Sequence, residues 1–272
     1  MLSSTKLAAL LPSKKFGDTL YIFDELDSTN AFAVEKAKTQ ALSGTVILAD
    51  RQIAGRGRLD RSWFSPGKSN IYGSLLFVHE TPIQYLGWVP LMAGVAIAQA
   101  LEQQTSMRID LKWPNDLLIG GRKLGGILCD SFRNPKHHFC VVIGFGINVN
   151  LTPSEFPSEL QTSATSLQIH CHCAVDREEL IMKVIASLEK NWENLRANGP
   201  LSYLVEYTHW CVTIGQTIQV RFPDGSQLQG LAHSIGEDGQ LRLIPSPSDS
   251  NDQSARMRDI HSGEILHLRT TA

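Results

Sequence analysis

Hydrophobic positions in the first two thirds of the chain fall into short runs separated by polar turns, the texture of a sheet with intervening helices. Tyr21-Ile22-Phe23 predicts a strand, and Asp27-Ser28-Thr29-Asn30 offers capping side chains for a helix over Ala31 to Lys38. Thr45 to Ala49 predicts a strand that runs into a Gly/Arg segment, and Ile71 to Val78 is apolar enough for a buried strand. Leu91 to Leu101 is Ala-rich and apolar on most sides, which predicts a buried helix. Ile109 to Trp113 and Leu117 to Ile119 read as strand, Gly120-Gly121 as a turn, and Lys123 to Leu128 as the returning arm of a hairpin. Val141 to Val149 predicts a further strand. Over Glu178 to Arg196, Leu180, Ile181, Val184, Ile185, Leu188, Trp192 and Leu195 recur at helical spacing.

After Trp210 the texture changes. Ile218, Val220 and Phe222 alternate with polar residues, Pro223-Asp224-Gly225 turns, and Leu228 to Ala232 returns. Asp238-Gly239 turns again before Leu241 and Leu243. A polar stretch over 246–254 predicts a surface loop, and Ile260 to Leu268 closes the segment. Short strands with glycine turns suggest a small β-barrel. The expected division is a lead-in over 1–18, a main domain over 19–210 and the small barrel over 211–272.

With 272 residues the chain holds one large domain, or a large one and a small one. A hydrophobic share of 42% and a charged share of 19% are those of a soluble globular protein. The net charge of -2 argues against a general nucleic-acid or membrane-surface binder. Five cysteines without regular spacing fit a reducing compartment. The apolar run Leu7 to Leu11 is closed by Pro12 and is too short for a signal-peptide core. No run approaches the roughly 20 apolar residues of a membrane span. A cytoplasmic protein is expected.

Candidate chemistry starts with the strand at Val141. Alternation puts Val141, Ile143, Phe145, Ile147 and Val149 on one face and Val142, Gly144, Gly146 and Asn148 on the other. Strand glycines mark a close approach to the backbone, by a ligand or by a packed helix, and the strand alone does not choose. On the hairpin, alternation puts Lys123, Gly125 and Ile127 on one side and Leu124 and Gly126 on the other. A lysine over a glycine floor can face an anion, although a solvated turn lysine is the commoner case. In Gln52-Ile53-Ala54-Gly55-Arg56-Gly57-Arg58 the glycines free the backbone, and the guanidinium forks suit carboxylate or phosphate. Gly67-Lys68-Ser69 imitates the end of a phosphate-binding P-loop, but Ser62 stands where that motif needs glycine, and Pro66 interrupts it. His170-Cys171-His172-Cys173 lacks a second pair at zinc-site spacing and reads as a loop. Cys129 reads as a core thiol.

Together these residues resemble the biotin–protein ligase family, over about residues 20–269. Asp27-Ser28-Thr29-Asn30 looks like its biotin-pocket segment, and Gly55-Arg56-Gly57-Arg58 with Arg61, Trp63, Ser65-Pro66 and Asn70 looks like its activation loop. Lys112-Trp113-Pro114-Asn115-Asp116 and Gly121-Arg122-Lys123-Leu124-Gly125-Gly126-Ile127-Leu128 look like its central signature. Gly144-Phe145-Gly146-Ile147-Asn148-Val149 is similar to its nucleotide-side strand, and Gly239-Gln240-Leu241 and Ser262-Gly263-Glu264 resemble its C-terminal barrel. Asp60 and Lys68 stand where the family usually has glycine, and there is no room for the DNA-binding module that some relatives carry in front.

The resemblance implies an α+β fold: a mixed, largely antiparallel sheet flanked by helices, as in synthetase cores, then an SH3-like barrel. It implies that ATP activates biotin to biotinyl-5′-AMP, which then biotinylates a lysine of the biotin carboxyl carrier protein or domain of acetyl-CoA carboxylase. Lys123, Arg56 and Arg58 are the expected catalytic residues. Ser28, Thr29, Asn30, Gln52, Arg56, Gly57, Arg58, Trp63, Lys123 and Gly125 are expected at biotin, with Ile127 as further lining. Arg58, Asn115, Asp116, Lys123 and Asn148 are expected at ATP. No protein-held metal is expected; Mg²⁺ comes with the ATP phosphates. DNA and membranes are not expected partners, and a homodimer is left open. Lipoate–protein ligases and octanoyltransferases share the expected fold, and a non-catalytic biotin sensor is the rival of another class.

Overall fold

Turns dictate the order of the sheet. A computed structural model describes residues 2–3, 5–7, 16–39, 42–78, 83–247 and 256–267. Strand β1 (Leu20–Leu26) is followed by helix α1 (Thr29–Thr39) and by β2 (Thr45–Gln52), which lies parallel to β1. Every later pairing is antiparallel: β3 (Ile71–Val78) on β2, and β7 (Phe139–Ile147) between β3 and β6 (Arg122–Arg133). β5 (Asp116–Ile119) and β4 (Asp110–Lys112) complete the order β1-β2-β3-β7-β6-β5-β4. Gly120 and Gly121, with φ of 57° and 74°, supply the two left-handed residues that a tight β5–β6 hairpin requires. The expected strands are present, several of them longer than the sequence pattern marks. β7 stops at Ile147, so Asn148 and Val149 lie just past its end.

One face of the sheet carries α2 (Val89–Thr105) and α4 (Arg177–Asn198), which share its core with Leu75, Phe77, Ile143 and Phe145. The Phe77 and Trp192 rings stack with centroids 3.8 Å apart. The segment Gln84–Thr105 has the length and apolar character of a membrane span; here it is mostly buried in this core. Between them in the chain lies α3 (Leu167–Cys171), which the sequence pattern left as loop, with His172 as its left-handed cap. A further short helix, α5 (Leu204–Trp210), was also not predicted. On the opposite face α1 packs Ala33 and Ala37 onto Ile47, Leu76 and Val142. The remainder of that face, toward Gly144 and Gly146, is left to the site.

The C-terminal part is a five-stranded antiparallel sheet in the order β11-β10-β9-β8-β12. It comprises β8 (Thr217–Arg221), β9 (Gln227–Ile235), β10 (Leu241–Pro245), β11 (Arg258–Ile260) and β12 (Glu264–His267). The turn before β10 is fixed to the main domain by two indole donors: Trp88 Nε1 to Glu237 O at 2.6 Å and Trp113 Nε1 to Gly239 O at 3.0 Å. The predicted loop over 246–254 and the lead-in between Leu7 and Pro12 fall largely outside the described residues, as does Leu268.

Candidate active site

A bare floor is the first requirement of the site. In register across β3, β7 and β6, Tyr72 meets Gly146, Ser74 meets Gly144, and Gly146 meets Gly126. The face-sharing expected for β6 is corrected by a bulge. Leu117 pairs with Gly125 but Leu118 pairs with Lys123, so Leu124 is an extra residue and the alternation slips by one. Lys123 therefore rises beside Gly126, whose added Cβ would lie 3.7 Å from its Nζ, while Gly125 packs underneath against Leu117 and the Gly146 carbonyl. Side chains on this floor would collide with what lies above. A Cβ on Gly146 would come within 2.5 Å of Trp63 Nε1, and one on Gly144 within 1.8 Å of Asn30 Oδ1.

These glycines, with α1 and the Gly/Arg segment, enclose a cavity of about 270 Å³. At the α1 end, Gln52 Oε1 accepts from Thr29 N at 2.9 Å, and Gln52 Nε2 donates to Ser65 Oγ at 3.1 Å. Asn30 Nδ2 donates to Leu128 O and Asp130, and Ser74 Oγ lies 2.6 Å from Asn30 Oδ1, so this amide is committed to holding the floor. The Gly/Arg segment, expected to be mobile, folds back as a small hairpin in which Arg56 bridges Ser62. Gly57 N donates to Arg61 O at 2.7 Å, and Trp63 N to Gly55 O at 2.9 Å. Its tip is Leu59-Asp60, with φ of 55° and 56°, a turn that suits Asn-Gly far better. Glycine at position 60 would meet that geometry without strain. Lys68, with φ 69°, fills another such position.

Cations gather at the other end. Lys123 Nζ sits 2.6 Å from Asp116 Oδ1 and 5.3 Å from the centre of the Trp63 ring. Arg58 Nη1 donates to Asn115 Oδ1 at 3.3 Å, while Asn115 Nδ2 donates to Ile127 O at 2.8 Å. Burial lowers the pKa of Arg58, against the pull of Asp116. Burial also lowers Lys112, a lining residue that sequence reasoning missed, and again Asp116 opposes. Glu264 on β12 reaches the rim and pairs with Arg61 at 2.5 Å, and this hydrogen bond holds its carboxyl below the usual glutamate range.

Most of the expected residues are thus brought together: Ser28, Thr29, Asn30, Gln52, Arg56, Gly57, Arg58, Trp63, Asn115, Asp116 and Lys123 all line the cavity. Two do not. Gly125 is replaced by Gly126 because of the bulge. Asn148 is buried behind the floor, with Nδ2 donating to Thr165 O at 3.0 Å. Ile127 contributes its edge, since its side chain points into the α2 layer near Gly94. Lys112, Arg61 and Glu264 join by tertiary folding alone, although Lys112 stands directly before Trp113-Pro114 in the signature segment. Cys129, expected as a core thiol, is half-buried, packed against the core at the edge of a second cavity, and desolvation pushes its pKa up. No group of three His, Cys, Asp or Glu able to hold a metal occurs among the described residues. That second cavity, of about 440 Å³, lies beside the first between the sheet and the barrel turn 238–240, and shares Arg58, Trp113 and Asn115 with it.

The sequence model of the biotin/lipoate A/B protein ligase family matches residues 22–148, from β1 to the end of the floor strand. Fold and cavity therefore define a protein ligase of the biotin and lipoate kind. Relatives narrow this. The chain is 34% identical over 242 residues to the bifunctional ligase/repressor BirA of Bacillus subtilis, covering 89% of this chain and 74% of that protein. It is 32% identical over 258 residues to the biotin–[acetyl-CoA-carboxylase] ligase of Mycobacterium tuberculosis, covering 92% and 89%. The biotin protein ligase of Aquifex aeolicus, solved in complex with biotin and ATP, superposes with a TM-score of 0.76 at 27% identity, over 93% of this chain and 100% of that one. The chain belongs to the biotin protein ligase family, and it is an enzyme.

Proposed function

We propose that the chain makes biotinyl-5′-AMP from biotin and ATP and passes the biotinyl group to a specific lysine of the biotin carboxyl carrier protein or domain of acetyl-CoA carboxylase. One observation carries this reading: Arg56, Arg58, Lys112 and Lys123 converge on a glycine-floored cavity whose inner carboxylate, Asp116, is already paired with Lys123. Such a cavity has surplus positive charge for two anions. Similarity to an Aquifex aeolicus protein solved with biotin and ATP supports the identity of those anions.

The chemistry needs that surplus. A carboxylate is a poor acyl donor until an oxygen of it attacks the α-phosphorus, the bond to the β-phosphate breaks, and pyrophosphate leaves. Two anions at ~4 Å repel by about 1 kcal/mol in water and about four times that near a protein surface. Lys123, drawn from Asp116 onto the carboxylate and α-phosphate, removes this repulsion and stabilises the transition state. Arg56 and Arg58 lie over biotin and the phosphates, and Lys112 takes the outgoing pyrophosphate. Ser28, Thr29 and Gln52 receive the ureido ring, with Asn30 holding the floor beside it, and Trp63 and Gly126 receive the carbon tail. Asn115 and Asp116 serve the nucleotide side directly, and Asn148, buried behind the floor, serves it through the strand end that it holds. Mg²⁺ arrives on the triphosphate as part of the substrate. In the second step the acceptor amine attacks the acyl carbon, AMP leaves, and Asp116, released from Lys123, accepts the amine proton. The folded Gly/Arg segment keeps water from the anhydride. The same reading makes residues 19–210 the catalytic domain and 211–272 the barrel. It places the enzyme in the cytoplasm, acting on a protein and not on DNA or a membrane, and allows a homodimer.

The test is incubation with ATP, Mg²⁺ and either biotin or lipoate, followed by pyrophosphate release and mass detection of the adenylate and of the modified carrier domain. Biotinyl-AMP and a single biotinylated lysine are expected. Preference for lipoate, or no pyrophosphate with either acid, ends the reading. Lys123→Ala should slow adenylate formation by about a hundredfold or more with an unchanged circular dichroism spectrum. Normal turnover by that variant would remove Lys123 from its role.

A further inference from the structure

Behind the floor lies a buried polar chain of which the mechanism above uses Asn148 alone. Arg177, the first residue of α4, and Asp50 of β2 form an ion pair with Nη1 2.8 Å from Oδ1, their side chains 10% and 5% exposed. That carboxylate oxygen has no hydrogen bond of its own among the described residues. The same Nη1 donates to Asn70 O at 2.9 Å. Asp50 Oδ2 accepts from Lys68 N at 3.2 Å, at the left-handed residue between the Gly/Arg segment and β3. From Asn70 the chain continues forward. Its Nδ2 donates to Asn148 Oδ1 at 3.3 Å, and its Oδ1 accepts from Val149 N at 3.0 Å. Asn148 Nδ2 then donates to Thr165 O, and Thr165 N donates to Lys123 O at 2.9 Å.

The structure assigns Arg177 as a positioning residue for the nucleotide half of the reaction: paired with Asp50, it fixes Asn70, and through Asn70 the Asn148 amide at the end of the floor strand. Three features argue for placement over general packing. A guanidinium and a carboxylate buried together cost desolvation that a pair of apolar side chains would avoid, so the pair adds directed geometry more than stability. A single guanidinium nitrogen spans a carboxylate and a main-chain carbonyl, which an ammonium on a flexible stem holds less rigidly. The chain of bonds also runs past Asn148, at the end of the floor strand, to the backbone of Lys123, whose side chain lines the cavity.

This assignment rests on the reading that Asn148 serves the nucleotide, and the experiment separates the two. Wild-type protein is first shown to release pyrophosphate from ATP with biotin; failure there ends the functional reading and leaves nothing for Arg177 to position. KM for ATP and for biotin are then measured for Arg177→Lys, for Asn70→Ser, which leaves the ion pair in place, and for Lys6→Ala. Lys6 pairs with Asp176 and Glu178 on the outside of the same helix start and does not reach Asn70, so it reports on helix docking alone. Arg177→Lys and Asn70→Ser should each raise KM for ATP about tenfold, as expected for a lost buried hydrogen bond, with KM for biotin within about twofold. Lys6→Ala should leave both unchanged. Equal shifts for the two substrates, no shift in either, or a Lys6→Ala effect matching Arg177→Lys overturns the assignment. Should Arg177→Lys fail to fold, Asn70→Ser decides by the same split.

Discussion

Two segments from outside the sheet border the paired cavities, and opposite means hold them. The barrel turn 237–240 is fixed by buried indole donors from Trp88 and Trp113, and Gly239 sits so near Gly87 that an added Cβ would be 2.7 Å from its carbonyl oxygen. The Gly/Arg hairpin has at its tip two side-chain-bearing residues in the left-handed region, and an Arg61–Glu264 pair with Arg61 more than half exposed. Exposed pairs of this sort contribute at most about 1 kcal/mol. A rigid turn and a strained one thus share a site, and the second is tied to the C-terminal sheet by the weaker contact.

The contrast breaks hardest at Gly239. Its φ of 79° and its close neighbour make Gly239→Ala doubly unfavourable, by about 3 kcal/mol, and a lower urea midpoint should show it. Trp113→Phe removes the donor to Gly239 O and ring volume from the junction; a loss of about 2 kcal/mol should appear as one cooperative transition at lower temperature. A separate early transition for the barrel would mean that the junction is not what holds it.

At the hairpin, stability should stay level while retention changes. Glu264→Gln should let biotinyl-AMP escape about two- to fivefold faster, the range a weak exposed pair allows, read as label on unrelated lysines. The pH dependence has a definite sign. The Glu264 carboxyl is depressed by Arg61, so its contribution is whole above the ordinary glutamate range and is lost as pH falls through the depressed value. Wild-type leakage should therefore rise only in acid, while Glu264→Gln leaks at neutral pH as well. The smallest effect is Asp60→Gly, which relieves the left-handed tip by about 0.5–1 kcal/mol. Slower hydrogen exchange at the Gly57 amide, bonded to Arg61 O, would register it.

Local chemistry made much of this legible from the chain. Gly120-Gly121 forced a hairpin, and the glycine alternation at 144 and 146 marked an open face. Period-two counting failed where the backbone did not keep the period: the bulge at Leu117/Leu118 moved Lys123 from the face of Gly125 to that of Gly126. Short helices at 167–171 and 204–210 carry too few turns to show a periodic apolar stripe. Arg61, Glu264 and the Asp50–Arg177 pair escaped for another reason. Their partners lie far away in the chain, and nothing in a single sequence says that residue 61 will face residue 264.

Helix α1 reaches as far as Gly144, which Asn30 covers, and among the described residues no helix lies over Gly146 and Gly126. The two glycines therefore form a bare strip on which a flat molecule can lie against the backbone. Over Gly146 it is the Trp63 indole, and not a helix, that keeps the strip narrow.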